Sequence, residues 1–354
     1  MVRVWVLKLP DAMASSLAIT FDALETANQV SVRGGRPAPF EVRTVPVGSG
    51  PRAGSVDFAP GDLLIVPGLR IRSEPELTAS LATPAVRRAA RIAAEAQAAG
   101  AFVAGSCAGT FILAQAGLLS GRRATTTWWL APTFRRLHPD VDLIADRIVV
   151  ADWPIATAGA AMAQMDLMLA VIARFASSGL AEACARYLLL DQRRSQVPYM
   201  AVGFLAGRDE QIARAEVWAR DNIGRDFSVD ELAAAAGLTP RTFARRLATV
   251  CGLSPIKFAQ RIRVETAERL LETTRLSVDE VARRVGTRDG QWQVVVELSL
   301  EQRDHTATRA QDVPEAHRRI GLAGAVAGGH GKLFGEALGG AHDVHGLHRL
   351  VGRD

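Results

Sequence analysis

The sequence predicts an α/β fold, a parallel sheet sandwiched between helices, followed by an all-α helix-turn-helix domain. Three observations predict it. Short apolar strand runs alternate with helical periodicity up to about residue 190. One run meets a cysteine held between two glycines, Gly105-Ser106-Cys107-Ala108-Gly109. Beyond Arg208 the strand signals vanish, and two short capped helical patterns stand on either side of a glycine.

The elements follow in order. Val2–Leu7 is a β-branched run, and Ser16–Val32 has helical spacing. Phe40–Val45 alternates apolar and polar residues. Asp62–Gly68 (DLLIVPG) is a short buried strand stopped by Pro67 and Gly68. Thr83 caps an alanine-rich helix to Ala99, with Pro84 at its first position. Phe102–Ser106 is a second buried strand, and Ala108–Ala116 is the helix leaving it. Ile148–Val150 and Ile155–Ala158 read as further strands, Gly159–Phe175 and Leu180–Leu190 as helices. Near-continuous apolar strands separated by helices imply a parallel sheet buried on both faces. Such sheets bind ligands at the carboxyl ends of their strands, where Cys107 falls.

Composition narrows the function classes. Apolar residues make up 48% and charged residues 22%, as in an ordinary soluble protein, and the net charge is +5. The charge is placed unevenly. Leu232–Val264 holds six basic residues and no acid, a candidate phosphate-facing surface. Three scattered cysteines form no disulfide framework and no zinc pattern, so a reducing cytoplasm is expected. The start, MVRVWVLKLP, reads as a strand rather than a signal peptide. No apolar run is long enough to span a membrane, because Gln164 and Asp166 interrupt the longest.

The G-x-C-x-G stretch describes a sharp strand-to-helix turn. Small neighbours are needed because the central residue sits in a strained conformation, and the turn aims free helix N–H groups at its side chain. Together with DLLIVPG, GSCAGTFILAQAGLLSGRRATT and ATAGAAMAQMDLMLAVI, this region resembles the class I glutamine amidotransferase-like superfamily in its PfpI/ThiJ branch. The resemblance covers about residues 1–190 and implies a flavodoxin-like sandwich. Enzymes of that group pair the cysteine with a histidine, often the next residue; here that residue is Ala108. Related regulators often carry a histidine after the threonines that follow; here Thr127 stands there. The superfamily's acid near the first helix aligns with Ser16. His138, in what reads as a surface turn (LHPD), is the only histidine before residue 300. Hydrolysis needs proton transfer to a leaving group, so Cys107 is expected to line a ligand cavity rather than to catalyse. Ser16, Gly68, Cys107, Ala108 and Trp128 are the expected ligand-binding residues, with Trp128 or Trp129 as an aromatic wall.

Residues 228–247 read SVDELAAAAGLTPRTFARRL. Ser228 and Glu231 form a capping box. Val229, Leu232, Ala233 and Ala236 make a buried stripe, and Gly237 permits a tight turn. Thr239 caps a second helix with Pro240 at its first position. Phe243 and Leu247 bury one face and leave Arg241, Thr242, Arg245 and Arg246 on the other. That is a helix-turn-helix, whose second helix enters a major groove. Thr239, Arg241, Thr242, Arg245 and Arg246 are the expected DNA-binding residues. Arg241 and Arg245 lead for base edges, and Arg246 for phosphate.

Ser254 and Pro255 then open a long helix to about Leu271, with Ile256, Ala259, Ile262, Ala267 and Leu270 on its apolar face. Ser277 with Glu280 repeats the capping box; Val278, Val281, Ala282 and Val285 repeat the stripe; Gly286 repeats the turn. This region is similar to AraC/XylS-type DNA-binding domains. The order of the two halves resembles the GlxA-type transcriptional regulators. The resemblance implies a cytoplasmic, homodimeric regulator that binds double-stranded promoter DNA and senses a small effector, such as an amine or amino-acid metabolite. The alternatives are a PfpI-like cysteine hydrolase or lyase carrying a DNA-binding module, and a frame-damaged regulator with impaired DNA binding.

The expected organisation is a sensing domain over 1–190, a linker over 191–207, a DNA-binding domain over 208–300 and a disordered Gly/His-rich tail over 301–354. After Gly286 the pattern breaks. VVVELSL contains no basic residue, and a shifted reading frame near 287–291 would produce the change. His342, His345 and His348 are spaced by three, but accidental composition is favoured over a metal site. No metal or cofactor is expected. Replacing residues 287–354 with a second complete hairpin is expected to tighten promoter binding in a gel-shift titration; unchanged affinity would refute the loss of a second reading helix.

Overall fold

The computed structural model describes residues 1–48, 56–190, 193–196 and 199–286. Gly286, expected to repeat the turn, has φ +67°, while the VVVELSL segment and the histidine-rich tail lie outside the described residues. The chain begins with β1 (Val2–Lys8), α1 (Ala14–Arg33), β2 (Phe40–Pro46) and β3 (Leu63–Val66). It continues with α2 (Glu74–Leu81), α3 (Pro84–Ala98), β4 (Phe102–Ser106) and α4 (Gly109–Gln115). Then come β5 (Arg123–Ala124), α5 (Ala131–Leu137), β6 (Asp142–Leu143), β7 (Val149–Asp152) and β8 (Ile155–Ala158). Helices follow: α6 (Ala163–Phe175), α7 (Ser178–Tyr187), α8 (Val202–Ala206), α9 (Glu210–Asp221), α10 (Val229–Ala235), α11 (Pro240–Cys251), α12 (Pro255–Thr273) and α13 (Val278–Arg284).

The main sheet has six strands in the order β2-β1-β3-β4-β8-β7. Period-two geometry divides its apolar residues between two cores. Leu63 and Ile65 of β3 face α1 and α6, while Leu64 and Val66 face α3 and α4. All four are fully buried. Each contributes about 1.5–3 kcal/mol relative to exposure, which accounts for the unbroken apolar run in DLLIVPG.

Four expectations need correction. The sheet is not wholly parallel, since β7 runs antiparallel to β8 at the edge. The segment expected to be a plain linker contains α8, whose Val202, Leu205 and Ala206 are buried in the helical core. Ile256 is exposed at the start of α12, and the buried ring there is Phe258. Val278 is exposed beside buried Val281 and Val285. Both misassigned residues sit in a first helical turn, where the apolar stripe has not yet met a neighbouring helix. Helix α2 was not anticipated, although Ser73 accepts the Glu76 N–H as its cap.

The two parts of the chain meet at one side of the α/β layer. Trp128–Leu130 forms a 3₁₀ turn ahead of α5. The Trp128 and Trp129 rings meet Phe204 of α8 edge-on, at 5.7 and 6.3 Å between centroids.

Gly109 explains the last position of G-x-C-x-G. A Cβ there would stand 2.5 Å from the Pro67 carbonyl oxygen and 3.1 Å from that of Val66. Backbone blocks that space, so no side chain can rotate away. Gly109→Ala is expected to lower stability by about 2 kcal/mol, read as a fall in the urea midpoint followed by circular dichroism. An unchanged midpoint would mean that the β3–α4 approach is looser than this distance implies.

Candidate ligand crevice and nucleic-acid interface

Cys107 stands between β4 and α4 with φ +53°, a left-handed conformation that a non-glycine residue adopts only when its surroundings impose it. Its N–H donates to the Ala158 and Gly159 carbonyls at 3.0 and 2.8 Å. Its own carbonyl accepts from Thr126 Oγ1 at 2.8 Å. The side chain is buried at 6% exposure. Burial pushes the thiol up from 9.0 to about 11, and the Ala108 N–H and Thr127 hydroxyl oppose it only weakly. The Thr127 hydroxyl thus lies close enough to favour the thiolate, yet it completes no hydrogen bond of normal geometry.

The surroundings of the thiol are built from distant segments. Gly68, at the end of β3, brings its α-carbon so close that an added Cβ would lie 3.1 Å from the Cys107 Cβ. Its N–H donates to Ser16 Oγ at 3.1 Å. Ser16 is in turn supported from behind: Thr20 Oγ1 donates to the Ser16 carbonyl at 2.7 Å, and Gln164 Nε2 donates to Thr20 Oγ1 at 2.8 Å. Ser16, Gly68, Cys107 and Ala108 therefore come together around one point. Ser106 Oγ and Thr127 Oγ1 are buried there without a hydrogen-bond partner, which is costly unless a polar guest shares the site. Trp128 stands one residue beyond Thr127, and its ring lies against Phe204 rather than over the thiol.

His138 supplies no base to this crevice. It ends α5 half-buried, not on a free surface turn, and its ring packs on Phe134 and Phe111 at 5.0 and 6.3 Å. Burial lowers its pKa. The groups facing Cys107 are hydroxyls and a backbone N–H. These can bind and orient a small polar molecule, but they do not carry protons as an imidazole does.

Sequence reasoning missed Gln196. It belongs to the stretch after α7, yet it is 3% exposed. Its Nε2 lies 3.0–3.3 Å from Thr125 Oγ1 and the carbonyls of Thr126, Ala145 and Arg147, while its Oε1 accepts from the Ala160 N–H at 2.8 Å. Two hydrogens shared among four acceptors fix the loop that carries Thr125–Thr127. Gly159 makes room, since a Cβ there would fall 2.1 Å from the Gln196 amide.

In the helical part, Ser228 and Glu231 complete both halves of the capping box on α10. Gly237 turns with φ +68°. Thr239 Oγ1 accepts the Thr242 N–H at 3.3 Å and so opens α11. Phe243, Leu247 and Cys251 are buried on one face of α11, while Arg241, Arg245 and Arg246 are exposed and Thr242 is half-buried. Arg246 is exposed and also ion-paired. Its Nε lies 2.6 Å from Asp209, whose carboxylate also caps α9 through the Gln211 and Ile212 N–H groups. That pair ties α11 to α9, while Arg241 and Arg245 stand exposed on the same helix.

Comparison with known proteins agrees with this division. Residues 54–174 match the model of the DJ-1/PfpI family, and residues 232–290 match a helix-turn-helix domain. The HTH-type transcriptional regulator GlxA of Rhizobium meliloti is 29% identical over 188 residues, 52% of this chain and 57% of that protein. The HTH-type transcriptional regulator CdhR of Pseudomonas aeruginosa is 28% identical over 191 residues, 53% of this chain and 56% of that protein. The chain thus aligns with little more than half the length of these curated relatives. A solved AraC family transcriptional regulator from Pseudomonas putida aligns with 53% of this chain and all of its own, at 22% identity and a TM-score of 0.42. Residues 54–174 are thus similar to DJ-1/PfpI family domains, and residues 232–290 to a helix-turn-helix domain.

Proposed function

We propose that this protein is a DNA-binding transcription regulator whose α/β domain holds a small effector without turning it over. One observation carries the reading. Helix α11 is capped, packed on one face and exposed on the other, and the exposed face carries Arg241 and Arg245 one turn apart. Guanidinium groups at that spacing suit guanine edges and phosphates in a major groove. Homodimerisation would place two such helices on one duplex in symmetric half-sites. Among the described residues no helix is long and apolar enough to cross a membrane.

The effector is proposed to sit by Ser16, Gly68, Cys107 and Ala108, beside the two unpartnered hydroxyls. A small polar nitrogen metabolite, an amine or amino acid, matches a site offering hydroxyls and a backbone N–H. A thiol held neutral at physiological pH favours binding over catalysis.

The test of the DNA reading uses duplexes selected by the full-length protein from a random-sequence pool. Arg241→Ala and Arg245→Ala are each expected to weaken binding to those duplexes about tenfold or more. Failure to select any duplex, or full affinity in both variants, would overturn it. The thiol supplies a second test. Its native pKa lies above the ordinary value, so the stability it lends is present below pH 9.0 and is lost as pH rises towards about 11. Urea unfolding across that window is expected to show a smaller alkaline loss for Cys107→Ala than for the wild type. Equal losses, or rapid alkylation of Cys107 at neutral pH, would return the cysteine to the class of activated nucleophiles.

A further inference from the structure

A continuous series of directional contacts runs from the crevice to the reading helix. Thr126 donates to the Cys107 carbonyl, and Thr127, its chain neighbour, has a buried hydroxyl without a hydrogen-bond partner. The next two residues, Trp128 and Trp129, meet the Phe204 ring edge-on. Arg208 stacks over Trp129 and Phe204 at 5.3 and 5.5 Å, and its Nη1 donates to the Trp129 carbonyl at 2.9 Å. The residue after Arg208 is Asp209, which caps α9 and holds Arg246 of α11. Two steps run through covalent neighbours, Thr127 to Trp128 and Arg208 to Asp209, and the others through side-chain contacts.

We propose that the Trp128–Phe204–Arg208 junction is a latch that reports occupancy of the Cys107 crevice to the helix-turn-helix. This rests on the sensing role proposed above. The junction suits that task because its central ring is half-exposed, between two tryptophans that also pack against the helical core. Phe204 is 53% exposed and is held by two ring edges and a cation. Contacts of that kind open more readily than the buried packing on either side. A guest that moves Thr126 and Thr127 moves the paired tryptophans against Phe204. Release of Arg208 then shifts Asp209, and with it the anchor of α11. The latch thus biases one element between two arrangements, as coupling between sites requires.

The experiment is hydrogen–deuterium exchange on the full-length protein, read by mass spectrometry. It needs no DNA and no identified effector. Gly68→Ala crowds the crevice permanently, because its new methyl would meet the Cys107 Cβ at 3.1 Å. Thr127→Val keeps the shape and removes the hydroxyl, so it carries the test if Gly68→Ala fails to fold. Either variant is expected to raise exchange in residues 202–221 by about threefold or more. Phe204→Ala is expected to raise it alone, and then to abolish the added effect of the crevice variants. Altered exchange around Cys107 with residues 202–221 unchanged would overturn the latch. So would a crevice effect that persists undiminished in the Phe204→Ala background. Failure of duplex selection would sink the DNA reading while leaving this measurement intact, and the reverse also holds.

Discussion

The left-handed backbone of Cys107 persists because both of its peptide groups are tied down. The N–H is shared between the Ala158 and Gly159 carbonyls, and the carbonyl is held by Thr126. A non-glycine residue at φ +53° is otherwise uncommon. These bonds join β4, the end of β8 and the loop before α5, so the elbow is the point where the sheet and its following loops are locked together. Gly109 lets α4 start against the Pro67 carbonyl, and Gly68 lets β3 end against Cys107. Everything that borders the crevice is positioned by that lock.

The chemistry of the crevice follows from what surrounds the lock. An activated thiol needs a nearby cation, a base or strong donors to its ionised form. Here burial dominates, and the adjacent donors do not offset it. Among the described residues His138 is held by aromatic packing on Phe134, and the residue after Cys107 is Ala108. The sharp strand-to-helix turn thus surrounds a thiol that burial keeps protonated.

The helical part relies on a different physical device. Its reading helix is fixed by a buried stripe on one side and by an ion pair on the other. Arg246 and Asp209 form that pair with the carboxylate largely buried, so it defines where α11 sits rather than adding exposed charge. Arg220, bound to Glu216 and Glu265, similarly joins α9 to α12. Arginine is abundant here, but only some of it faces outward, and net charge alone could not separate the two uses.

Local signals were legible in the sequence because they depend on neighbours in the chain. The caps at Thr83, Ser228, Thr239, Ser254 and Ser277 all accept the N–H three residues on. The unbroken apolar run of DLLIVPG, the G-x-C-x-G elbow and the glycine turn of the helical hairpin belong to the same class. Tertiary structure decided the rest, because those features depend on residues far apart in the chain. Gln196 reads as a polar residue in an aperiodic stretch, and it becomes a buried clamp only where four acceptors converge on it. Arg246 reads as one more exposed cation until Asp209 meets it, and Trp128 as a pocket wall until Phe204 does. The direction of β7 and the exposure of Ile256 likewise follow from which neighbours arrive in space, and chain order does not encode that.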